Sequence, residues 1–187
     1  IGFVKKEKVY VLADIDTSKI IFDRYLQAVP EQLKQASVQD KFIYQMNLIP
    51  WNRDLDVDAE VNIASAVYND IPLEKIYLHI NTNQEHMDVK KFSVDNIAGA
   101  SLSLSMNADK IFSAPYFNEL SYDIKTDNFP LFASTLGIDT GSKNLFKRKI
   151  FAAQGAMSGT LSEFSLSSVQ KFGDTEFSYT GVVANNS

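Results

Sequence analysis

The chain has 187 residues, 45% of them hydrophobic and 22% charged, with a formal net charge of −5 and no cysteine. That length and balance fit one ordinary folded domain or two very small ones, with a core large enough to need neither disulfide nor structural metal, and they exclude a disordered chain. The acidic balance argues against nucleic acid as a partner, Lys147-Arg148-Lys149 being the one basic run, and the missing cysteine removes thiol nucleophiles and zinc–thiolate sites.

No apolar run approaches the ~18–20 residues that span a bilayer, and the start does not read as a signal peptide. The sequence opens at Ile1 without Met. We therefore expect a piece of a longer protein, with any membrane anchor or targeting segment outside it.

In chain order, Val9 to Thr17 carries apolar residues at odd positions and reads as a strand. Ile20 to Lys34 has helical spacing, with Pro30 opening a second short turn. Asp54 to Ile63, D-L-D-V-D-A-E-V-N-I, alternates throughout: Leu55, Val57, Ala59, Val61 and Ile63 against Asp54, Asp56, Asp58, Glu60 and Asn62. Lys75 to Asn81 puts aliphatics on even positions. Met87 and Val89 hold one parity and Phe92 and Val94 the other, which places a bulge near Lys90-Lys91. Ala98 to Ala108 sets Leu102, Leu104 and Met106 against Ser101, Ser103 and Ser105, and Glu119 to Thr126 sets Leu120, Tyr122 and Ile124 against polar neighbours.

Phe129 to Leu136 reads as a short helix, with Asn128 as N-cap, Pro130 in the first turn and Gly137 as the stop. After Lys147 short alternating pieces resume, such as Glu176 to Thr180. Turn signals fall at Asn69-Asp70 with Pro72, Thr82 to Glu85, Asp95-Asn96 and Ala114-Pro115.

Strands joined so closely pair as antiparallel neighbours. The expected fold is mainly β: an antiparallel meander forming a curved, taco-like sheet with one apolar face and two short helices. The strand ending Asp14-Ile15-Asp16-Thr17 and the one ending Asp123-Ile124-Lys125-Thr126 lie 123 − 14 = 109 residues apart, and each precedes a helical pattern. That suggests repeat-like units of about 9–50, 51–140 and 141–187 within a single segment.

The residues offer no catalytic set. Asp54, Asp56, Asp58 and Glu60 would stand ~6.5–7 Å apart along one strand face. That is near the separation of glycosidase acid pairs, but such acids come from different strands in a cleft. No calcium-loop glycine or closing Glu accompanies them. They read as the solvated, convex face. His79 and His86 have no third metal ligand, no serine sits on a strand-turn-helix elbow, and Gly137–Gly141 and Gly155–Gly159 match no phosphate or dinucleotide loop. No enzyme activity, cofactor or metal is expected. The aromatics, 13 Phe and 8 Tyr, read as core, or as a groove where the helices leave the apolar face uncovered.

The acidic strand, the turn Tyr68-Asn69-Asp70-Ile71-Pro72-Leu73-Glu74, the strands Lys75 to Ile80 and Met87 to Val94, and the step Asp95-Asn96-Ile97-Ala98-Gly99-Ala100-Ser101-Leu102 together resemble the repeat of the AsmA family of bacterial envelope proteins. Leu120 to Gly137 and Ala13 to Leu26 resemble its strand-then-helix unit. The likeness covers about Val9 to Asp139. It departs at Glu85-His86, where many members carry Gly.

The resemblance implies an inner-membrane anchor outside this chain, a periplasmic location, and an elongated β structure with an apolar groove. It also implies a non-enzymatic part in outer-membrane biogenesis, as phospholipid transport between the two membranes. Phospholipid or fatty acyl chains would then lie on Leu55, Val57, Val61, Ile63, Leu102, Leu104, Met106, Leu120, Tyr122 and Ile124. The alternative is an assembly module whose strand edges pair with outer-membrane β-barrel proteins or their assembly machinery, as implied by relatives of the TamB type.

Overall fold

A computed structural model of the chain describes residues 9–21, 40, 43–44, 47, 55–68, 70–135 and 150–184. The architecture is one open sheet of ten strands. The strands are β1 (Val9–Thr17), β2 (Ile20–Ile21), β3 (Leu55–Tyr68), β4 (Ile71–Asn83), β5 (His86–Ile97), β6 (Ala100–Asp109), β7 (Tyr116–Thr126), β8 (Phe151–Thr160), β9 (Glu163–Phe172) and β10 (Thr175–Ala184). The helix α1 (Phe129–Thr135) stands between β7 and β8. From β3 to β10 every strand pairs antiparallel with the next, as the alternation and short turns predict.

Several expectations are corrected. β1 pairs with β3 in parallel, Val9 opposite Leu55 through Thr17 opposite Ile63, so the sheet is not a pure meander. A parallel neighbour needs a crossover of a dozen or more residues, which the chain between β2 and β3 supplies. Ile20-Ile21, expected to open a helix, form strand β2 on β3. The register from β1 to β2 is unbroken across Ser18-Lys19, and the Ser65 hydroxyl donates to the Ser18 carbonyl at 3.0 Å. Hence the step after Thr17 differs from the step after Thr126, where a helix does follow. The rest of the expected first helix lies outside the described residues.

The turn expected at Asp95-Asn96 sits instead at Ala98-Gly99, both with positive φ (52° and 78°) as a type I′ turn requires. The Asn96 side chain caps it by accepting from the Gly99 amide at 3.0 Å.

Two irregularities shape the sheet. The bulge at Lys90-Lys91 is present, shifting register between the His79–Lys91 and Ile80–Val89 pairs and again against β6. A second line crosses three strands. Ala64 and Lys75 drop out of the β3–β4 ladder without changing its register, Lys75 has φ +51°, and β5 shifts against β6 between Val94 and Ile97. Along that crease the buried positions lie three apart, Ile63 and Ala66 on β3 and Leu73 and Ile76 on β4. The apolar side chains thus stay on one face where strict alternation would have turned them over.

Candidate functional site

Cross-strand register assembles the apolar parity into rows. One runs Leu78, Phe92, Leu104, Tyr122; beside it lie Ile76, Val94, Leu102, Ile124 and Ile80, Val89, Met106, Leu120. Paired residues in an antiparallel ladder share a face, so these rows make one continuous apolar surface.

Both margins of that surface are closed. At one end the 110–115 connection folds over it: Ile111 and Phe112 are buried with Ile80, Met87, Val89, Ala108 and Phe117. The Ile111 amide donates to the Glu85 carbonyl at 3.1 Å, tying this loop to the β4–β5 turn. At the other end α1 lays Phe129, Phe132 and Ala133 against Ala100, Phe151 and Ala153. Phe129, Phe151 and Phe172 touch pairwise, with ring centroids 4.7, 5.5 and 4.7 Å apart.

The helix begins where expected. Asn128 accepts from the Leu131 amide with its side chain at 3.4 Å and from the Phe132 amide with its carbonyl at 3.1 Å. Thr126 locks the entry, donating to the Gly99 carbonyl at 2.9 Å and accepting from the Asn128 amide at 3.0 Å.

Between the margins the surface is half covered: Leu104, Met106 and Leu120 pack against the first cluster, and Tyr122 and Ile124 against the second. Residues 101–107 of β6 and 120–124 of β7 are all half-buried, polar and apolar positions alike. In a sheet with a covered core the apolar parity would be buried and the polar parity exposed. Here the polarity alternates and the burial does not. Of the ten candidate residues, Val57, Val61, Leu102, Leu104, Met106, Leu120, Tyr122 and Ile124 are half-buried. Ile63 is a correction: it is closed into the core with Ala66, Leu73, Ile76 and Val94, at 5% exposure. Leu55 is placed by backbone register opposite Val9.

Leu78, Phe92, Met157 and Leu166 were missed as site residues. Register sets Leu78 and Phe92 in the Leu104 row, while Met157 faces Leu120 and Leu166 faces Met157. The parity of Leu78 and Phe92 was readable in sequence once the bulge was allowed for.

Tyr122 does not stand up from the surface. It faces Gly155 in the β7–β8 ladder, and a Cβ at Gly155 would lie 2.7 Å from the Tyr122 hydroxyl and 2.8 Å from Cζ. The ring therefore lies flat over the glycine, and its hydroxyl donates to the Ser168 hydroxyl at 2.7 Å; Ser168 is 2% exposed.

The opposite face is polar and internally paired. His79 Nε2 is 3.0 Å from Asp58 Oδ1, Glu60 bonds the Tyr77 hydroxyl, and the Lys91 ammonium sits 5.6 Å from the centre of the Tyr77 ring. Loss of solvent around Tyr77, followed by the Glu60 contact, holds its phenol above the usual value. The carboxylate row thus meets cross-strand partners at Asp58 and Glu60; Asp54 lies outside the described residues.

His86 Nδ1 is 2.8 Å from Asp109 Oδ1, and Asn118 donates to Asp109 Oδ2 at 2.7 Å and to Asn107 Oδ1 at 2.8 Å. The Asn118 hydrogen bond, then that of His86, holds the Asp109 carboxyl below its ordinary range. The two histidines thus engage different carboxylates, and among the described residues no three His, Asp or Glu gather as a metal site. A depression of about 170 Å³ is lined by Asp123, Lys125, Ala152, Ala153, Gln154, Val169 and Lys171. Among the described residues no helix is long and apolar enough to cross a membrane.

No protein-family model, curated protein or solved structure matches the chain at a significant level. What the arrangement can do chemically is set by its two faces. The polar face satisfies its own charges, and the apolar face offers an aliphatic strip bounded by a loop on one side and a helix on the other.

Proposed function

We propose that the chain is a non-enzymatic segment of a bacterial envelope-biogenesis protein of the AsmA type, held in the periplasm by an inner-membrane anchor. Its apolar face conducts phospholipid acyl chains between the inner and outer membranes. The observation that carries this reading is the half-burial of Leu102, Leu104, Met106, Leu120, Tyr122 and Ile124 between two closed margins. An acyl chain laid across the strands replaces water along that strip, at about 25 cal/mol per Å² of apolar surface removed, while the head group stays at the wet rim. The loop at 110–115 and α1 keep the chain from sliding off the strand ends.

The test is lipid content and binding. The purified protein is expected to carry phospholipid and to bind a fluorescent fatty acid. Leu104→Asp, at the centre of the strip, is expected to abolish both while leaving the far-UV circular dichroism unchanged. A wild-type protein that binds neither lipid nor fatty acid would end the proposal.

A further inference from the structure

A polar island interrupts the apolar face at β8 and β9. Along one row of the ladder Phe92 faces Leu104, Leu104 faces Tyr122, Tyr122 faces Gly155, Gly155 faces Ser168 and Ser168 faces Tyr179. In the next row Gln170 stands between Ala153 and Phe177. Paired residues share a face, so Ser168 and Gln170 lie on the same side as the aliphatic strip. The island is tied together: Gln170 Nε2 donates to the Tyr179 hydroxyl at 3.4 Å, and the Tyr122 hydroxyl donates to that of Ser168 at 2.7 Å. Ser168 is buried, while Gln170 and Tyr122 are half-buried.

The chemistry of the island is neutral. The register sets Ala153 and Phe177 on one side of it and Met157 and Leu166 on the other, with no Lys, Arg, Asp or Glu among them. A carboxylate or phosphate laid there would lose water without meeting a cation, which is costly. A carbonyl oxygen would not carry that penalty. Gln170 has two amide N–H groups and uses one on Tyr179; the Tyr179 hydroxyl, accepting there, keeps its own proton to give. Two donors beside an aliphatic strip suit a carbonyl at the end of an alkyl chain. From β4 to β7 the strip is four strands wide, about 19 Å at ~4.8 Å per strand. That accommodates the ~15 Å that one leaflet's chains occupy in a bilayer core.

We propose that the island seats the glycerol ester of a diacyl lipid, with the Gln170 amide and the Tyr179 hydroxyl donating to the ester carbonyl. The acyl chain then runs back across the strands, over the flat Tyr122 ring to Leu104, Phe92 and Leu78. The inference rests on the acyl-chain reading above and adds two things to it. It gives the bound chain a direction, ester end on β9 and methyl end toward β4. It also gives the strip a preference, for carboxylic esters over free acids and over ethers.

The test is competition against a bound fluorescent fatty acid. A diacyl phosphatidylethanolamine is compared with its dialkyl ether analogue, which has the same chains and head group but no ester carbonyl. The wild-type chain is expected to bind the ester about 10-fold more tightly, the worth of one or two neutral hydrogen bonds. Gln170→Leu removes a donor and keeps the bulk. It is expected to bring the ratio close to one, with the ether affinity and the circular dichroism unchanged. Tyr179→Phe, which removes the second donor alone, is expected to lower the ratio part-way. A wild-type ratio of one, or a wild-type ratio that persists in Gln170→Leu, would overturn the ester site while leaving the strip a lipid-binding surface. A wild-type chain that binds neither lipid would overturn both readings.

Discussion

Gly155→Ala is a one-carbon change with a large expected effect. The new methyl would sit 2.7–2.8 Å from the Tyr122 phenol end and closer still to the Ser167 carbonyl. Inserting a methyl into so tight a contact costs about 1–3 kcal/mol. The ring must then lift, and the hydroxyl of Ser168, 2% exposed, loses the donor 2.7 Å away. A buried hydroxyl left without a partner costs about 1–3 kcal/mol more. Against this, alanine is better than glycine within a strand by roughly 0.5–1 kcal/mol.

The net loss is about 3 kcal/mol, and for a chain of this length each kcal/mol lowers Tm by about 2–4 °C. Thermal and urea unfolding followed by circular dichroism would show a midpoint about 6–12 °C lower on heating. Tyr122→Phe, which keeps the ring and drops the hydroxyl, should lose about half of that, and the two changes together should fall short of additivity by about 1 kcal/mol or more. A Gly155→Ala protein as stable as wild type would show that the ring does not need the glycine, and the packing argument would fail.

Asp109 gives a pH-dependent test. Its folded pKa lies below the ordinary 3.8 because Asn118 and His86 favour the charged form. Its contribution is therefore present above the ordinary value and disappears as pH falls through the folded one. Asp109→Asn should be less stable than wild type at pH 7, with the difference in urea midpoint shrinking once the pH is below about 4. At the helix, Asn128→Ala should cost about 1 kcal/mol in urea unfolding through loss of the cap, and Asn128→Asp should restore most of it.

The strands with strong polarity contrast were readable. β3, β4, β6 and β7 alternate because aliphatics oppose acids, amides or serines. The bulge at Lys90-Lys91 announced itself because the apolar parity changes between Val89 and Phe92. α1 was readable from Asn128 and Pro130. β8 was not, since Ala152, Ala153, Gly155 and Ala156 have no polarity to alternate, and only pairing with β7 gives that strand sides.

The crease at Ala64 and Lys75 was equally silent. Small residues surround the first, and the positive φ of the second leaves no mark on a lysine. The parallel partner of β1 is a long-range choice that local alternation does not encode. The apolar residues of the candidate surface were readable as a set from their parity. What the sequence withheld was side-chain direction: the flat Tyr122 ring depends on a glycine one strand away, and the closure of Ile63 depends on the re-phased Ala66 and Leu73.

The strands make their extensive contacts with immediate neighbours in the sheet order, and the apolar clusters follow one another along it. Such a molecule behaves mechanically like a zipper. Its cohesion is a chain of neighbour couplings, so amide exchange protection should be greatest in β4 to β7 and decline toward β10. Severing one coupling in the middle would divide the zipper into two short halves, each with an open margin of its own. Severing one at the end removes a single tooth.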